Sequence, residues 1–170
     1  MPVIRYTTHI GRLAHLAGMH YLEVPGEIVQ QLGGKFNVRL LCTVNGSITF
    51  QTGLVALGQG SAYISLNTKR LKQVGLRHGD PVQVLLEEDT SPYGMEVPEE
   101  LAELLRQDKA GQERFNRLPP GKQRYIIHYV ASVKSSQLRI NRAILLIENL
   151  KQLPPGKESF REMLGLEKRL

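Results

Sequence analysis

The chain has 170 residues, 41% of them hydrophobic, with 22 Lys and Arg against 16 Asp and Glu for a net charge of +6. That is long and apolar enough to bury a core in one compact domain or two small ones. No apolar run is long enough to cross a membrane, no basic start followed by an apolar stretch marks a secretory signal, and the single cysteine, Cys42, excludes an internal disulfide and suits a reducing, cytoplasmic compartment.

The first half reads as one unit written twice. A displacement of 42 positions lays residues 3–44 on residues 45–86 without a gap, with identities at Thr7/Thr49, Gly11/Gly53, Gly18/Gly60, Tyr21/Tyr63 and Gln31/Gln73. In each unit a β-branched and aromatic stretch comes first, Val3 to Leu13 and Ser47 to Leu57. A glycine connection follows, at Gly18 and at Gly58-Gln59-Gly60, and then a short strand, Tyr21–Val24 and Tyr63–Leu66. Pro25 and Asn67-Thr68 open short helices that Gly33 and Gly75 close. The last strand alternates, grouping Leu40, Cys42 and Val44 in one unit and Val82, Val84 and Leu86 in the other. Six short strands leave open edges unless the halves wrap into a barrel. Val24, Leu32, Leu40, Val44, Leu66, Val74, Val82 and Leu86 are its expected core, and the same alternation gives Cys42 a packing role.

Asp89 to Gly94 is turn-rich and reads as a linker. Beyond it the period becomes helical. Pro98 starts a helix with Glu99, Glu100 and Glu103 in its first turns and Leu101, Leu104 and Leu105 as its stripe. A second helix near Gln112–Leu118 buries Phe115 and Leu118. A third is expected from Tyr125, Ile126, Tyr129, Val130 and Val133, and a fourth from Ile140, Ile144, Ile147 and Leu150.

The net charge is concentrated. Between Arg117 and Lys151 stand seven basic residues and one acid, Glu148, so the rest of the chain sums to zero. Lys134, Arg139 and Arg142 are the candidate anion-binding cluster. Lys134 ends one helical stripe, and the two arginines open the next on one side of it. Arg117, Lys122, Arg124 and Lys151 form a secondary basic surface. Two plainer readings stand beside this: a solvated helix face, or arginines paired with Glu148 or with carboxylates of the first helix. The histidines at 9, 15, 20, 78 and 128 lack metal-ligand spacing, and no cofactor motif or catalytic nucleophile is nominated.

Tyr21-Leu22-Glu23-Val24-Pro25, Val44-Asn45-Gly46 and Gly75-Leu76-Arg77-His78-Gly79-Asp80-Pro81-Val82 resemble a bacterial and archaeal family of small β-barrel domains of unknown function. Val97-Pro98-Glu99-Glu100-Leu101, Phe115, Tyr125-Ile126 and the set Lys134, Arg139, Arg142 resemble the C-terminal helical domain of the YdeI/OmdA family, named for bacteriocin protection and OmpD association. The resemblance implies an α+β chain: a double-split β-barrel with a pseudo-two-fold repeat over residues 1–90, a linker at 91–96, a small helical bundle at 97–156 and a charged tail at 157–170. AbrB/MazE-type regulators use the same barrel, with two chains supplying the halves. The family name implies a phenotype of protection under stress and no reaction; with the concentrated basic segment, the first expectation is a non-enzymatic cytoplasmic binding protein whose basic helical hairpin engages an anionic ligand or acidic protein. A DNA-binding regulator of the AbrB type is a second expectation, set against eight basic and six acidic residues in 1–90. An enzyme is the third.

Overall fold

A computed structural model describes residues 2–166. Its contacts divide the chain into two units with the boundary between Gly94 and Met95, inside the expected linker.

The first unit is built from strands β1 (Ile4–Leu13), β2 (Met19–Val24), β3 (Arg39–Val44), β4 (Ile48–Gly53), β5 (Val55–Gly58), β6 (Ser61–Leu66) and β7 (Pro81–Glu88), with helices α1 (Gly26–Gln31) and α2 (Thr68–Val74). The strands form one antiparallel sheet in the order β4-β3-β7-β1-β2-β6-β5. β1 curls this sheet: Ile4–His9 pair with β7, and Ile10–Leu13 pair with β2. Alternate residues point to a single core that includes Leu22, Leu40, Val44, Ile64, Leu66 and Leu86. Seven strands stand where six were expected, because the stretch from Ser47 to Leu57 breaks at the buried Leu54. β4 pairs with β3 and β5 with β6, so the chain turns a corner there. The termini of α2 follow from side-chain chemistry: Asn67 accepts from Arg70 N at 2.8 Å, and Gly75 closes the helix at φ 67°.

The residues before the boundary are strapped to this unit. Gln51 Nε2 donates to Asp89 Oδ2 at 2.9 Å and to Ser91 Oγ at 3.0 Å, and Arg39 Nη2 donates to Gly94 O at 2.7 Å.

The second unit is helical: α3 (Glu99–Gln107), α4 (Lys109–Arg117), α5 (Pro120–Ala131), α6 (Ser136–Gln152) and α7 (Phe160–Met163). α6 is the hub, touching the other four. Its inward set is Ala143, Leu146, Ile147 and Leu150, at i, i+3, i+4 and i+7. The expected stripe shares Ile147 and Leu150 with this set, whereas Ile140 and Ile144 are exposed. They line a groove of about 700 Å³ beside Glu100 and Glu103 of α3. On α5 the inward set is Gln123, Ile126, Ile127 and Val130, which leaves Tyr125, one position earlier, 62% exposed.

Part of the stretch read as a tail belongs to the core. Ser159 caps α7 by accepting from Glu162 N, and its hydroxyl donates to Glu162 Oε2 at 2.6 Å. Met163 and Glu158 are buried. Arg114 Nη2 donates to Glu158 Oε1 at 3.2 Å and to Leu153 O at 2.6 Å, closing the end of α6. Burial alone would raise the Glu158 pKa; backbone N–H donors and Arg114 outweigh it and hold the carboxyl below its ordinary value. Residues 167–170 of the expected tail lie outside the described residues.

Candidate functional site: the basic helical hairpin

Helix α5 begins at Pro119-Pro120, where a missing N–H costs nothing, and its apolar set fixes it against α6. Gln123 adds a buried bond, donating from Nε2 to Phe115 O at 2.9 Å. Residues 132–135 make the turn, and Ser135 caps α6 by accepting from Leu138 N at 3.3 Å.

The two candidate arginines converge on the end of α5. Arg139 Nη1 donates to Val133 O at 3.0 Å and Lys134 O at 2.8 Å, while its Nε donates to Glu100 Oε1 at 2.9 Å. Arg142 Nη1 donates to Tyr129 O and to Ser132 Oγ, both at 2.9 Å. Cations in the first turns of α6 are unfavourable for that helix's own dipole, but these serve the carbonyl end of α5. Glu100 is held below the ordinary carboxylate range by its own backbone N–H, then by the Ser136 hydroxyl and Arg139. Lys134 offers its carbonyl to Arg139, and its side chain is exposed.

The secondary set divides. Lys151 Nζ is bound to Asp108 Oδ2 at 2.7 Å and Glu148 Oε1 at 2.8 Å. Lys122 Nζ donates to Glu158 O. Arg117 is exposed and Arg124 half-buried. Neither they nor Lys134 and Arg142 have a carboxylate partner among the described residues. Only part of the basic segment is thus internally neutralised.

An aromatic row accompanies these charges. The Arg142 guanidinium lies 4.1 Å from the centre of the Tyr129 ring. Tyr129 meets Phe160 edge-on at 5.5 Å, and Phe160 meets Tyr125 edge-on at 4.6 Å. Reading Tyr125 as core missed this row, although its position beside the Ile126/Ile127/Val130 set was a signal.

Two family models match the chain. Residues 94–152 match the one described as Bacteriocin-protection, YdeI or OmpD-Associated, and residues 6–86 match Domain of unknown function (DUF1905). The helical region is of the YdeI/OmdA type. No curated protein matches the chain. The OmdA match spans α3 to the last residue of α6 and so contains the whole hairpin, whereas Glu158, Phe160 and Met163, which pack against it, follow the matched residues.

Ahead of the OmdA-type region, the matched first unit holds polar groups within its core. Tyr6 Oη is buried with no hydrogen-bond partner among the described residues. Cys42 lies opposite Phe50 across β3 and β4, and the Arg70 guanidinium sits 4.0 Å from the Phe50 ring centre. Burial pushes the Cys42 thiol up to about 12, with Arg70 pulling it back in part; burial in turn lowers the Arg70 pKa. A thiol so raised is a packing group rather than a nucleophile at neutral pH. Among the described residues no three His, Cys, Asp or Glu side chains come together as metal ligands, and no helix is long and apolar enough to cross a membrane.

Proposed function

We propose that this YdeI/OmdA-type chain is a non-enzymatic binding protein whose α5–α6 hairpin engages an anionic ligand. The carrying observation is that Lys134, Arg142, Arg117 and Arg124 have no carboxylate partner among the described residues, in a segment that holds the chain's entire net charge. Arg139 shapes the site rather than filling it, because its guanidinium ties Glu100 to the end of α5. Cys42, a single free thiol, suits a reducing compartment, and the cytoplasm is the location this reading carries.

Calorimetry with inorganic polyphosphate tests the reading. Binding should weaken steeply with salt and fall in Lys134→Ala and Arg124→Ala, neither of which breaks an ion pair among the described residues. Heat of binding unchanged in both variants returns the segment to a solvated face.

We further infer that residues 3–44 and 45–86 are equivalent halves of a double-split barrel. Leu22 pairs with Ile64 and Thr43 with Leu85, each pair 42 residues apart, as an axis running between two like strands requires. β2 and β6 begin 42 residues apart, whereas β1 and β4 begin 44 apart. The difference is taken up in the hairpin, where residues 14–18 in one half correspond to residues 59–60 and a bulge at Ala56/Gly58 in the other. Thr8 and Thr52, both buried, then become counterparts in place of Thr7 and Thr49. Experimental coordinates in which the halves fail to superpose after that shift contradict the inference.

A further inference from the structure

We propose that the exposed side of α5, with Phe160 of α7, is a stacking platform for single-stranded nucleic acid; this rests on the anion-binding reading above and names its ligand class. Lys122, Tyr125 and Tyr129 recur at i, i+3 and i+7 of α5, off its buried set, with Ser132 next along at the turn; Tyr125 is exposed, and Lys122 and Tyr129 are half-buried beside Glu158 and Phe160. Along that side the contacts run Arg142 to Tyr129 to Phe160 to Tyr125, at 4.1, 5.5 and 4.6 Å. Phe160 meets both tyrosines edge-on and fixes their positions, and Arg142 lies over one face of Tyr129, so Tyr125 is the ring left open. Tyr125, at the end of the row, is 62% exposed. A large aromatic left this open, in a row that ends on the Arg142 guanidinium, differs from an ordinary charged helix face, which carries no ring.

Charge complementarity selects the occupant. Lys134, Arg142 and Arg124 supply positive charge without carboxylate partners among the described residues, which suits a phosphate backbone. An open ring beside them suits a base, since every base has a π face and stacking tolerates any sequence. An acidic peptide would use the charge and leave the rings idle. Duplex nucleic acid would also use only the charge, because its bases are already stacked.

Fluorescence titration of the full-length chain with a deoxythymidine decamer, an abasic decamer of the same phosphate count, and polyglutamate tests this. The decamer should bind about tenfold or more tighter than the abasic strand, the scale of one stacked base. Tyr125→Ala should remove that margin while leaving abasic binding unchanged, and Tyr125→Phe should keep it. Far-ultraviolet circular dichroism checks the fold of both variants. Equal affinity for the decamer and the abasic strand overturns the platform and leaves the anion site standing. Polyglutamate binding as tightly as the decamer overturns it too. Absence of binding to all three overturns the underlying reading as well. A change of oligomeric state in Tyr125→Ala would assign this face to a second copy of the chain and contradict the proposal.

Discussion

Gly111 of α4 lies so near Ile147 of α6 that a Cβ on it would stand 2.5 Å from Ile147 Cγ2 and 2.7 Å from Asp108 Oδ2. Alanine favours a helix over glycine by about 1 kcal/mol, yet here the new methyl has to displace a buried side chain and a helix cap. Overpacking of this kind costs roughly 1–3 kcal/mol. Gly111→Ala should therefore lower the melting temperature of the helical unit, and calorimetric melts would show it.

Arg114 should matter more. It reaches Lys151 O, Leu153 O and the buried Glu158, and it is itself nearly buried. Removing one partner of a buried pair leaves the other charge stranded, at a cost on the order of 3 kcal/mol. Arg114→Ala should destabilise the unit by about that amount in urea unfolding, and Arg114→Lys should recover little, since a compact ammonium does not reproduce the planar fork that reaches two carbonyls and a carboxylate at once.

Acid should loosen the same unit. Lys151 first, then the Gly111 N–H, holds Asp108 below the ordinary carboxylate range, and Glu158 is also lowered in the fold. A depressed folded-state pKa contributes stability that is complete above the unfolded value, about 4, and is lost as pH falls through the folded value. Thermal melts should thus be flat from neutral pH to about 5 and drop below about 4. Glu158→Gln should show a shallower acid loss than wild type.

The Cys42 thiol, buried and raised to about 12, should resist alkylation in the native chain near pH 8 and react fully in denaturant. Mass spectrometry after iodoacetamide treatment reads both states. Rapid native labelling would mean that the strand pair around Cys42 opens readily.

Local chemistry was legible in the sequence wherever the signal lay in neighbouring residues. Asn67 and Gly75 bound α2 as read, and the alternation of β3 and β7 puts Leu40, Val44, Val82 and Leu86 inside. Signals spread across the chain were not legible. Arg139 finds Glu100, one of the first-helix carboxylates that the plainer reading offered without singling it out, and Arg114 finds Glu158, a partner 44 residues away that periodicity does not mark. On α5, Ile126 and Val130 are buried as read, but Tyr125 was added to them because it is apolar enough to imitate core, though one residue of displacement turns a side chain by about 100°. Helix α7 is too short to show a period, and its only local sign was the Ser159/Glu162 capping box.

The binding role of the hairpin is tested most directly by an amide chemical-shift titration of the full-length chain with inorganic polyphosphate. The largest shifts should fall within residues 122–142, around the α5–α6 turn, and should fade as salt is raised. Shifts centred on the strands between Ile4 and Glu88, or none at millimolar ligand and low salt, would contradict it.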